Sequence, residues 1–279
     1  INADGVADVI VGAILEEHGN SPTNAGRVYL ISGATGRALH TFSGLQSPNE
    51  ISFGEFGRAV AGIGGDVNAD SIPDVIVGAY LEGPGSSPGQ AGRAYIFSGA
   101  TGNLLDSLKS PKEEAGGRFG VSVAGTSGDV NADGVADVIV GAYWEDRGSS
   151  PFNAGRAYII SGATRNVLDT LVSPNEEAGG EFGFSVAGIG GDVNADGTPD
   201  VIVGAPEEAP GSSPTDAGRA YIFNGKSISC AAPSNINSFT FNGHTYKIVK
   251  EQKSWIGASF CASRLGGYLA EINSQAEQD

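Results

Sequence analysis

Short apolar runs separated by turn-forming residues fill the first 225 positions of this 279-residue chain. The run Asp137–Ala142 is rich in β-branched residues and is bounded by turn signals, which is typical of a buried strand. Residues 119–124 and 156–161 alternate apolar with small or polar residues, and residues 167–171 follow after a turn. No segment of this region has the length and 3.6-residue period of a helix. The pattern predicts a mainly β structure with four short strands per unit.

The unit repeats with a fixed spacing. The central Asp of an acidic loop recurs in steps of 66, 63 and 63 residues, at Asp4, Asp70, Asp133 and Asp196. Phe-Gly pairs and Gly-Arg-x-Tyr segments recur in the same phase. Four strands per repeat predict the blades of a partial β-propeller; the coils of the alternative, a β-solenoid, are much shorter. The predicted blades span about 1–46, which has three strands, 47–110, 111–173 and 174–225.

Each acidic loop carries oxygen-bearing side chains at positions 1, 3, 5 and 9, counted from its first Asp. Side chains at alternate positions of a tight loop converge on one point, and Gly134 at position 6 permits the positive φ that lets the loop fold round an ion. Oxygen ligands without His or Cys indicate Ca²⁺ rather than a transition metal. The predicted ligands are Asn2, Asp4 and Asp8 in the first loop, Asp66, Asn68, Asp70 and Asp74 in the second, Asp129, Asn131, Asp133 and Asp137 in the third, and Asp192, Asn194, Asp196 and Asp200 in the fourth.

Two other interpretations of these loops fit the residues less well. Asp, Asn and Gly favour turns by themselves, but a turn does not need three carboxylates, which repel one another without a cation. An EF-hand needs Glu at position 12, where the third loop has Val140 in a strand. Asp137 closes the loop instead, and the carbonyl of Val135 is predicted to add a ligand. The second loop has Ser71 where the others have Gly. We predict weaker calcium binding there, because a non-Gly residue at positive φ costs about 1–2 kcal/mol.

The charge changes near residue 226. The whole chain has a net charge of −16, of which residues 1–225 carry −17 and residues 226–279 carry +1 together with both cysteines. This shift predicts a domain boundary. An acidic chain is a poor partner for nucleic acid or anionic membranes, since both need Lys and Arg clusters, and the apolar runs are too short to insert into a bilayer.

The last section has an α+β pattern. Residues 226–237 are a predicted linker, and residues 239–249 predict a hairpin around Asn242 and Gly243. Ser254 can cap a helix with one apolar face, residues 268–272 predict a short strand, and the Ser-Gln-Ala-Glu sequence at 274–277 is a capping box that opens another helix.

The motifs of residues 1–225 resemble the FG-GAP repeat. They are Phe-Gly-x-Ser-Val-Ala-Gly, Gly-Asp-Val-Asn-Ala-Asp-Gly-x-x-Asp and the Val-Gly-Ala-Pro at 203–206. That family forms the calcium-stabilised propeller of integrin α subunits and of many bacterial surface proteins, usually with seven blades. The resemblance implies Ca²⁺ at the acidic loops and an extracellular setting, either secreted or on the cell surface. Calcium sites of about 10⁻⁴–10⁻³ M are sufficient there.

Residues 238–279 are similar to the first part of a C-type lectin-like domain. The residues that carry the likeness are Trp255, Ala258, Cys261, Gly266, Gly267, Leu269, Ala270, Ile272 and Glu277. In that family the cysteine matching Cys261 pairs with one late in the domain, where the sugar-binding and calcium-binding residues also lie. The resemblance therefore implies a truncated domain that binds no sugar by itself. For Cys230, a disulfide with Cys261 and a free thiol are both open.

These features predict a calcium-binding adhesion or recognition protein with an extracellular protein or glycan ligand. They also predict an appended lectin-like module of the carbohydrate-binding type. We expect no enzyme, because His18, His40 and His244 share no spacing that supports a hydrolytic triad. Two alternatives are the non-catalytic propeller region of a secreted hydrolase and a purely structural spacer. We predict that the repeated arginines pair with acids; they are Arg27, Arg93, Arg156 and Arg219. We predict that the repeated tyrosines pack between blades; they are Tyr29, Tyr95, Tyr158 and Tyr221.

Overall fold

The structure of the chain is a computed structural model. The described residues are 1–2, 4–17, 19–39, 44–146, 150–209, 211 and 214–224, with the backbone of 238–241 and 244–247. The chain divides into two compact units. The first comprises Ile1–Val193 with Thr198–Lys226, and the second comprises Asn194–Gly197 with Ser227–Asp279.

The first unit consists of antiparallel sheets formed by strands that follow one another along the chain. Sheet 1 contains β1 (Val9–Ala13) and β2 (Arg27–Ile31); sheet 2 contains β3 (Ala59–Gly62), β4 (Val75–Ala79), β5 (Arg93–Phe97) and β6 (Leu104–Leu108); sheet 3 contains β7 (Val123–Gly125), β8 (Val138–Ala142), β9 (Arg156–Ile160) and β10 (Val167–Leu171); sheet 4 contains β11 (Ser185–Gly188), β12 (Asp200–Ala205) and β13 (Arg219–Asn224). No helix lies among the described residues. The mainly β prediction, with four-stranded units, is confirmed for this part of the chain.

The second strand of each inner sheet is apolar throughout because both of its faces are covered. All five residues of β4 are buried. Val75 and Val77 pack with Val28 of sheet 1, while Ile76 packs in a second cluster with Val138 of sheet 3. A third cluster joins sheets 3 and 4 in the same way. Burial on both faces explains why the sequences of these strands are continuous apolar runs and do not alternate between apolar and polar residues.

The Phe-Gly motif lies in a segment that contacts two neighbouring sheets and not in a strand. The sequence predicts a strand over 119–124, but β7 spans only Val123–Gly125. Gly120 has a φ of 88°, and its N–H donates to the carbonyl of Gly141 at 2.9 Å. Its own carbonyl lies against Gly78 of sheet 2, where an added Cβ would be 1.9 Å from that oxygen. The glycines therefore permit a close approach of two sheets that a periodicity argument does not detect.

Three of the four repeated tyrosines, Tyr95, Tyr158 and Tyr221, pack where sheets meet, as predicted. Tyr95 is fully buried in the cluster between sheets 1 and 2, and its ring centroid lies 5.9 Å from that of Phe56. The equivalent distances are 5.9 Å for Phe119 and Tyr158 and 6.1 Å for Phe182 and Tyr221. The Phe of each Phe-Gly motif and the Tyr of each Gly-Arg-x-Tyr segment thus form one recurrent aromatic contact.

The repeated arginines pair with acids in loops, which confirms the prediction for three of the four. The nitrogen-to-oxygen distances are 2.7 Å for Arg27 and Glu50, 2.7 Å for Arg93 and Glu113, and 3.4 Å for Arg156 and Glu176. Each Glu belongs to the segment that leads to the next sheet. The buried arginines therefore connect each sheet to the loop that begins the following unit.

Two of the three strands predicted for residues 1–46 are present among the described residues, as β1 and β2 of sheet 1. Two isolated bridges follow them, from Ala38 to Ile31 and from Leu45 to Val28. Residues 40–43 between them lie outside the described residues.

The described part of the C-terminal section is a hairpin. β14 (Ser238–Phe241) pairs antiparallel with β15 (His244–Lys247), which confirms the hairpin predicted around Asn242 and Gly243. The linker, the helices and strand of the lectin-like prediction, Cys230, Cys261 and Trp255 lie outside the described residues. Within the described part of the chain, no helix has the length and apolar character that a membrane crossing requires.

Candidate metal centre

The four acidic loops occupy the same place in their sheets. Each loop ends where the second strand of its unit begins, at β1, β4, β8 or β12. We call these ends of the sheets the acidic edge. The Asp at position 9 directly precedes or begins the strand, so its side chain is carried into the protein as the strand enters the core. Asp74, Asp137 and Asp200 are fully buried, whereas most other predicted ligands are exposed.

The position-9 carboxylate of the third loop is held at both of its oxygens. Asp137 accepts a hydrogen bond from the backbone N–H of Val130 at 2.8 Å and another from the N–H of Gly162 at 2.9 Å. Val130 belongs to the acidic loop itself, and Gly162 belongs to the turn between β9 and β10. The carboxylate therefore connects the loop to a neighbouring turn of the same sheet.

Burial raises the pKa of Asp137 to about 6, and the negative charges of Asp133 and Asp129 add to this rise. The two backbone N–H bonds oppose it. Burial likewise raises the pKa of Asp74, with Asp70 and Asp66 contributing in the same direction. In both loops, the carboxylates at positions 1 and 5 therefore disfavour the charged form of the carboxylate at position 9.

The other predicted ligands of the third loop, which are partly buried or exposed, fold back onto the loop. Asp129 accepts backbone hydrogen bonds from Gly134 at 2.6 Å, Asn131 at 3.1 Å and Asp133 at 3.2 Å. The amide nitrogen of Asn131 donates to the carboxylate of Asp133 at 2.8 Å. The structure therefore brings the predicted ligands at positions 1, 3 and 5 into contact with one another or with the shared backbone.

The second loop has the same arrangement despite its different residue at position 6. Asn68 donates to Asp70 at 2.9 Å, and the N–H of Ser71 donates to Asp66 at 2.5 Å. Ser71 has a φ of 71°, in the region where Gly134 has 90°. The condition on which weaker binding was predicted for this loop is therefore met.

The first and fourth loops are described in part. The amide of Asn2 donates to Asp4 at 2.8 Å, and Asp8 accepts from the N–H of Gly33 at 3.1 Å. In the fourth loop, the buried Asp200 accepts from the N–H of Val193 at 2.7 Å. Asp192 is exposed at the start of this loop, and the side chain of Asn194 accepts from the N–H of Asp196 at 2.9 Å.

The donor chemistry of the loops fits a hard cation. Each complete loop offers three carboxylates and one amide oxygen, which are ligands that Ca²⁺ prefers. Among the described residues, no three His, Cys, Asp or Glu side chains are gathered as a metal centre. The oxygens instead accept hydrogen bonds from N–H groups of the loop. The assignment of the fifteen ligands is therefore still a prediction.

The sequence pattern predicts a turn before residues 167–171 but gives no sign that this turn, and its equivalents in sheets 1 and 2, contact the acidic loops. This turn joins the third and fourth strands and reads Ser-Gly-Ala-Thr at 32–35, 98–101 and 161–164. Its steps of 66 and 63 residues equal those of the acidic loops, and this shared phase is the signal that could have identified it.

A second missed feature lies at the opposite ends of the sheets, which we call the aromatic edge. It includes the residues that follow β4 and β8. The guanidinium of Arg118 lies 5.6 Å from the ring centroid of Tyr80 and 4.9 Å from that of Trp144. The indole N–H of Trp144 donates to Glu181 at 2.9 Å. At the same edge, Phe152 is 73% exposed.

Comparison with known proteins identifies the repeat. Three segments match the FG-GAP repeat. They span residues 56–97, 119–160 and 182–223, so each FG-GAP segment contains the first three strands of sheet 2, 3 or 4.

The chain is also similar to integrin α subunits. It is 36% identical to integrin alpha-E of Mus musculus over 152 residues, which are 51% of this chain and 12% of that protein. It is 28% identical to integrin alpha-5 of Xenopus laevis, with 95% of this chain and 24% of that protein covered. It is 32% identical to integrin alpha-PS5 of Drosophila melanogaster, with 67% of this chain and 18% of that protein covered. The chain thus spans less than a quarter of the length of these relatives.

Proposed function

We propose that this chain is the calcium-binding FG-GAP propeller region of an extracellular adhesion or recognition protein. In this proposal, Ca²⁺ at the acidic edge stabilises the blades, and loops at the aromatic edge contact a protein or glycan ligand. The proposal rests on the likeness to integrin α subunits and on one structural observation above all. That observation is the repeated acidic loop with a buried position-9 carboxylate and two further carboxylates beside it.

The electrostatics of the loops favour a cation. A buried carboxylate whose pKa rises to about 6, as for Asp137, is destabilised in its charged form by burial and by its neighbours. A divalent cation reverses this balance, because its charge compensates those of Asp129, Asp133 and Asp137 together. When bound, Ca²⁺ would supply this compensation and a cross-link within the loop. The carboxylates at positions 1, 5 and 9 and the Asn at position 3 would hold it.

Exposed aromatic groups support the aromatic edge as the ligand surface. Phe53 is 57% exposed and Phe152 is 73% exposed, and both lie in loops at that edge. Aromatic rings and arginines are enriched in the centres of protein interfaces, and Trp144 and Arg118 lie in contact with one another at the same edge. This arrangement suits binding better than a spacer role.

Ligand binding is tested by applying the chain, in millimolar Ca²⁺, to arrays of extracellular-matrix proteins and glycans. We expect binding to one of these classes, and loss of most of it in the variant Trp144→Ala, which removes the largest ring of the aromatic edge. The variant Asp169→Asn, in β10 away from both edges' clusters, is the control and should bind as the original chain does. Absence of binding to both arrays, or equal binding by Trp144→Ala, would contradict the proposal.

A further inference from the structure

In sheets 1, 2 and 3, the turn that follows β2, β5 or β9 lies directly against the acidic loop of the same sheet. In sheet 3, this turn begins at Ser161 and Gly162, immediately after β9. Both residues are fully buried or nearly so, although turns are usually exposed. Their contacts with the acidic loop give a reason for this burial.

The hydroxyl of Ser161 is oriented by the turn that it starts. Its oxygen accepts backbone hydrogen bonds from Ala163 at 3.2 Å and from Thr164 at 3.1 Å. A serine hydroxyl has one hydrogen and two acceptor lone pairs. With the lone pairs directed at these two N–H groups, the hydrogen is left for the carboxylate of Asp133, 3.2 Å away. The turn therefore fixes the donor that holds the position-5 side chain.

Gly162 holds the position-9 side chain by a close backbone approach. Its N–H donates to Asp137 at 2.9 Å. A Cβ added to Gly162 would lie 1.8 Å from the carbonyl oxygen of Ala136, so no other residue fits without moving the turn away. Glycine at this position is thus required by the contact between the turn and the acidic loop.

The same contacts recur in sheet 2. The hydroxyl of Ser98 donates to Asp70 at 3.1 Å, and the N–H of Gly99 donates to Asp74 at 3.0 Å. A Cβ at Gly99 would lie 2.0 Å from the carbonyl oxygen of Pro73. Recurrence at two independent sites makes the arrangement a property of the repeat.

In sheet 1, the glycine contact is the same as in sheets 2 and 3, but the serine contact is different. The N–H of Gly33 donates to Asp8 at 3.1 Å. The hydroxyl oxygen of Ser32 accepts from the amide of Asn2 at 3.5 Å, so this serine contacts position 3 of its loop and not position 5.

We propose that the Ser-Gly turn is a second component of the calcium sites formed by the second and third acidic loops, in which the serine and the glycine are positioning residues for the carboxylates at positions 5 and 9. The inference rests on the proposed calcium binding. Residues behind metal ligands fix their orientation and reduce the freedom that the ligands lose when the ion binds. The turn contributes in this way without supplying a metal ligand itself.

The test is a calorimetric titration of the chain with Ca²⁺ in two matched double variants. The first, Ser98→Ala with Ser161→Ala, removes the hydroxyls that hold Asp70 and Asp133. The second, Ser47→Ala with Ser110→Ala, removes two equally buried hydroxyls that donate to Tyr95 and Tyr158. The two variants delete the same atoms from similar surroundings, and only the first pair contacts the acidic loops.

We expect calcium affinity to fall about tenfold at two sites in the first variant and to be unchanged in the second. Unfolding by denaturant in EDTA should show similar stabilities for the two variants, because the loss of a buried serine hydroxyl is common to both. Equal affinities in the original chain and the first variant would overturn the inference while leaving calcium binding intact. Absence of calcium binding in the original chain would overturn both.

Discussion

At the scale of single residues, positive φ angles decide how well each acidic loop is formed. Ala69, Ala132 and Ala195 at position 4 have φ angles of 60–63°, and the next but one residue is again in the left-handed region. The second, third and fourth loops therefore each contain two residues at positive φ, and the one at position 6 is glycine in the third and fourth. The second loop, with Ser71, carries the cost of a side chain at both positions.

Exchange of the position-6 residues between loops tests this cost. Ser71→Gly should raise the calcium affinity of the second loop several-fold and stabilise the chain by about 1 kcal/mol, since glycine adopts positive φ without strain. Gly134→Ser should do the opposite in the third loop. Calcium titration and denaturant unfolding measure both effects. If the calcium affinity were the same in Ser71→Gly and in Gly134→Ser, the φ angle at position 6 would not limit calcium binding.

At the scale of elements, buried Glu-Tyr pairs tie the loops of the aromatic edge to the third strands. The hydroxyl of Tyr158 donates to Glu145, which is fully buried, and Tyr221 donates to Glu208 at 2.5 Å. Burial raises the pKa of Glu145 to about 7, and its bonds with Ser110 and Tyr158 do not offset this. The folded chain therefore holds a proton on Glu145 at a pH where the unfolded chain has released it.

This pair predicts a pH dependence of stability with a definite sign. Because the folded pKa of Glu145 lies above the value of about 4.3 for a free Glu, its contribution is greatest below that value, falls as pH rises to about 7, and is constant above. Relative to Glu145→Gln, which cannot titrate, the free energy of unfolding should fall by about 1–3 kcal/mol between pH 4.5 and pH 7.5. If the free energy of unfolding changed with pH in the same way in the original chain and in Glu145→Gln, the raised pKa assigned to Glu145 would be contradicted.

Sequence patterns predicted the strands well because the repeat places the same apolar run in the same covered position each time. β10 at Val167–Leu171 matches its prediction, and β8 and β9 differ by one residue. The segment that carries the Phe-Gly motif was predicted as a strand because its apolar and small residues alternate. The alternation arises from contact with two sheets, and the sequence pattern alone does not show this contact. The Ser-Gly turn was missed because its function arises from contact with a loop about 25 residues earlier, as between Gly162 and Asp137.

At the scale of the whole molecule, each sheet depends on its neighbours for burial. Sheets 2 and 3 are covered on both faces, but Val9 and Val11 of sheet 1 are 51% and 41% exposed, and Ile222 of sheet 4 is 58% exposed. The equivalents of these residues in the inner sheets are buried. The first three acidic loops lie at one edge of sheets 1, 2 and 3, where bound Ca²⁺ would constrain all three sheets at once.

The measurement that tests calcium binding most directly is thermal unfolding of the chain in EDTA, in 10 mM Mg²⁺ and in 10 mM Ca²⁺. Sites with dissociation constants of about 10⁻⁴–10⁻³ M stabilise the folded state by about 1.4–2.7 kcal/mol each at that calcium concentration. We predict that Ca²⁺ raises the Tm by at least about 5 °C over EDTA and that Mg²⁺, which requires a more rigid octahedral site, has a much smaller effect. A Tm that is the same in EDTA and in Ca²⁺ would contradict the calcium sites.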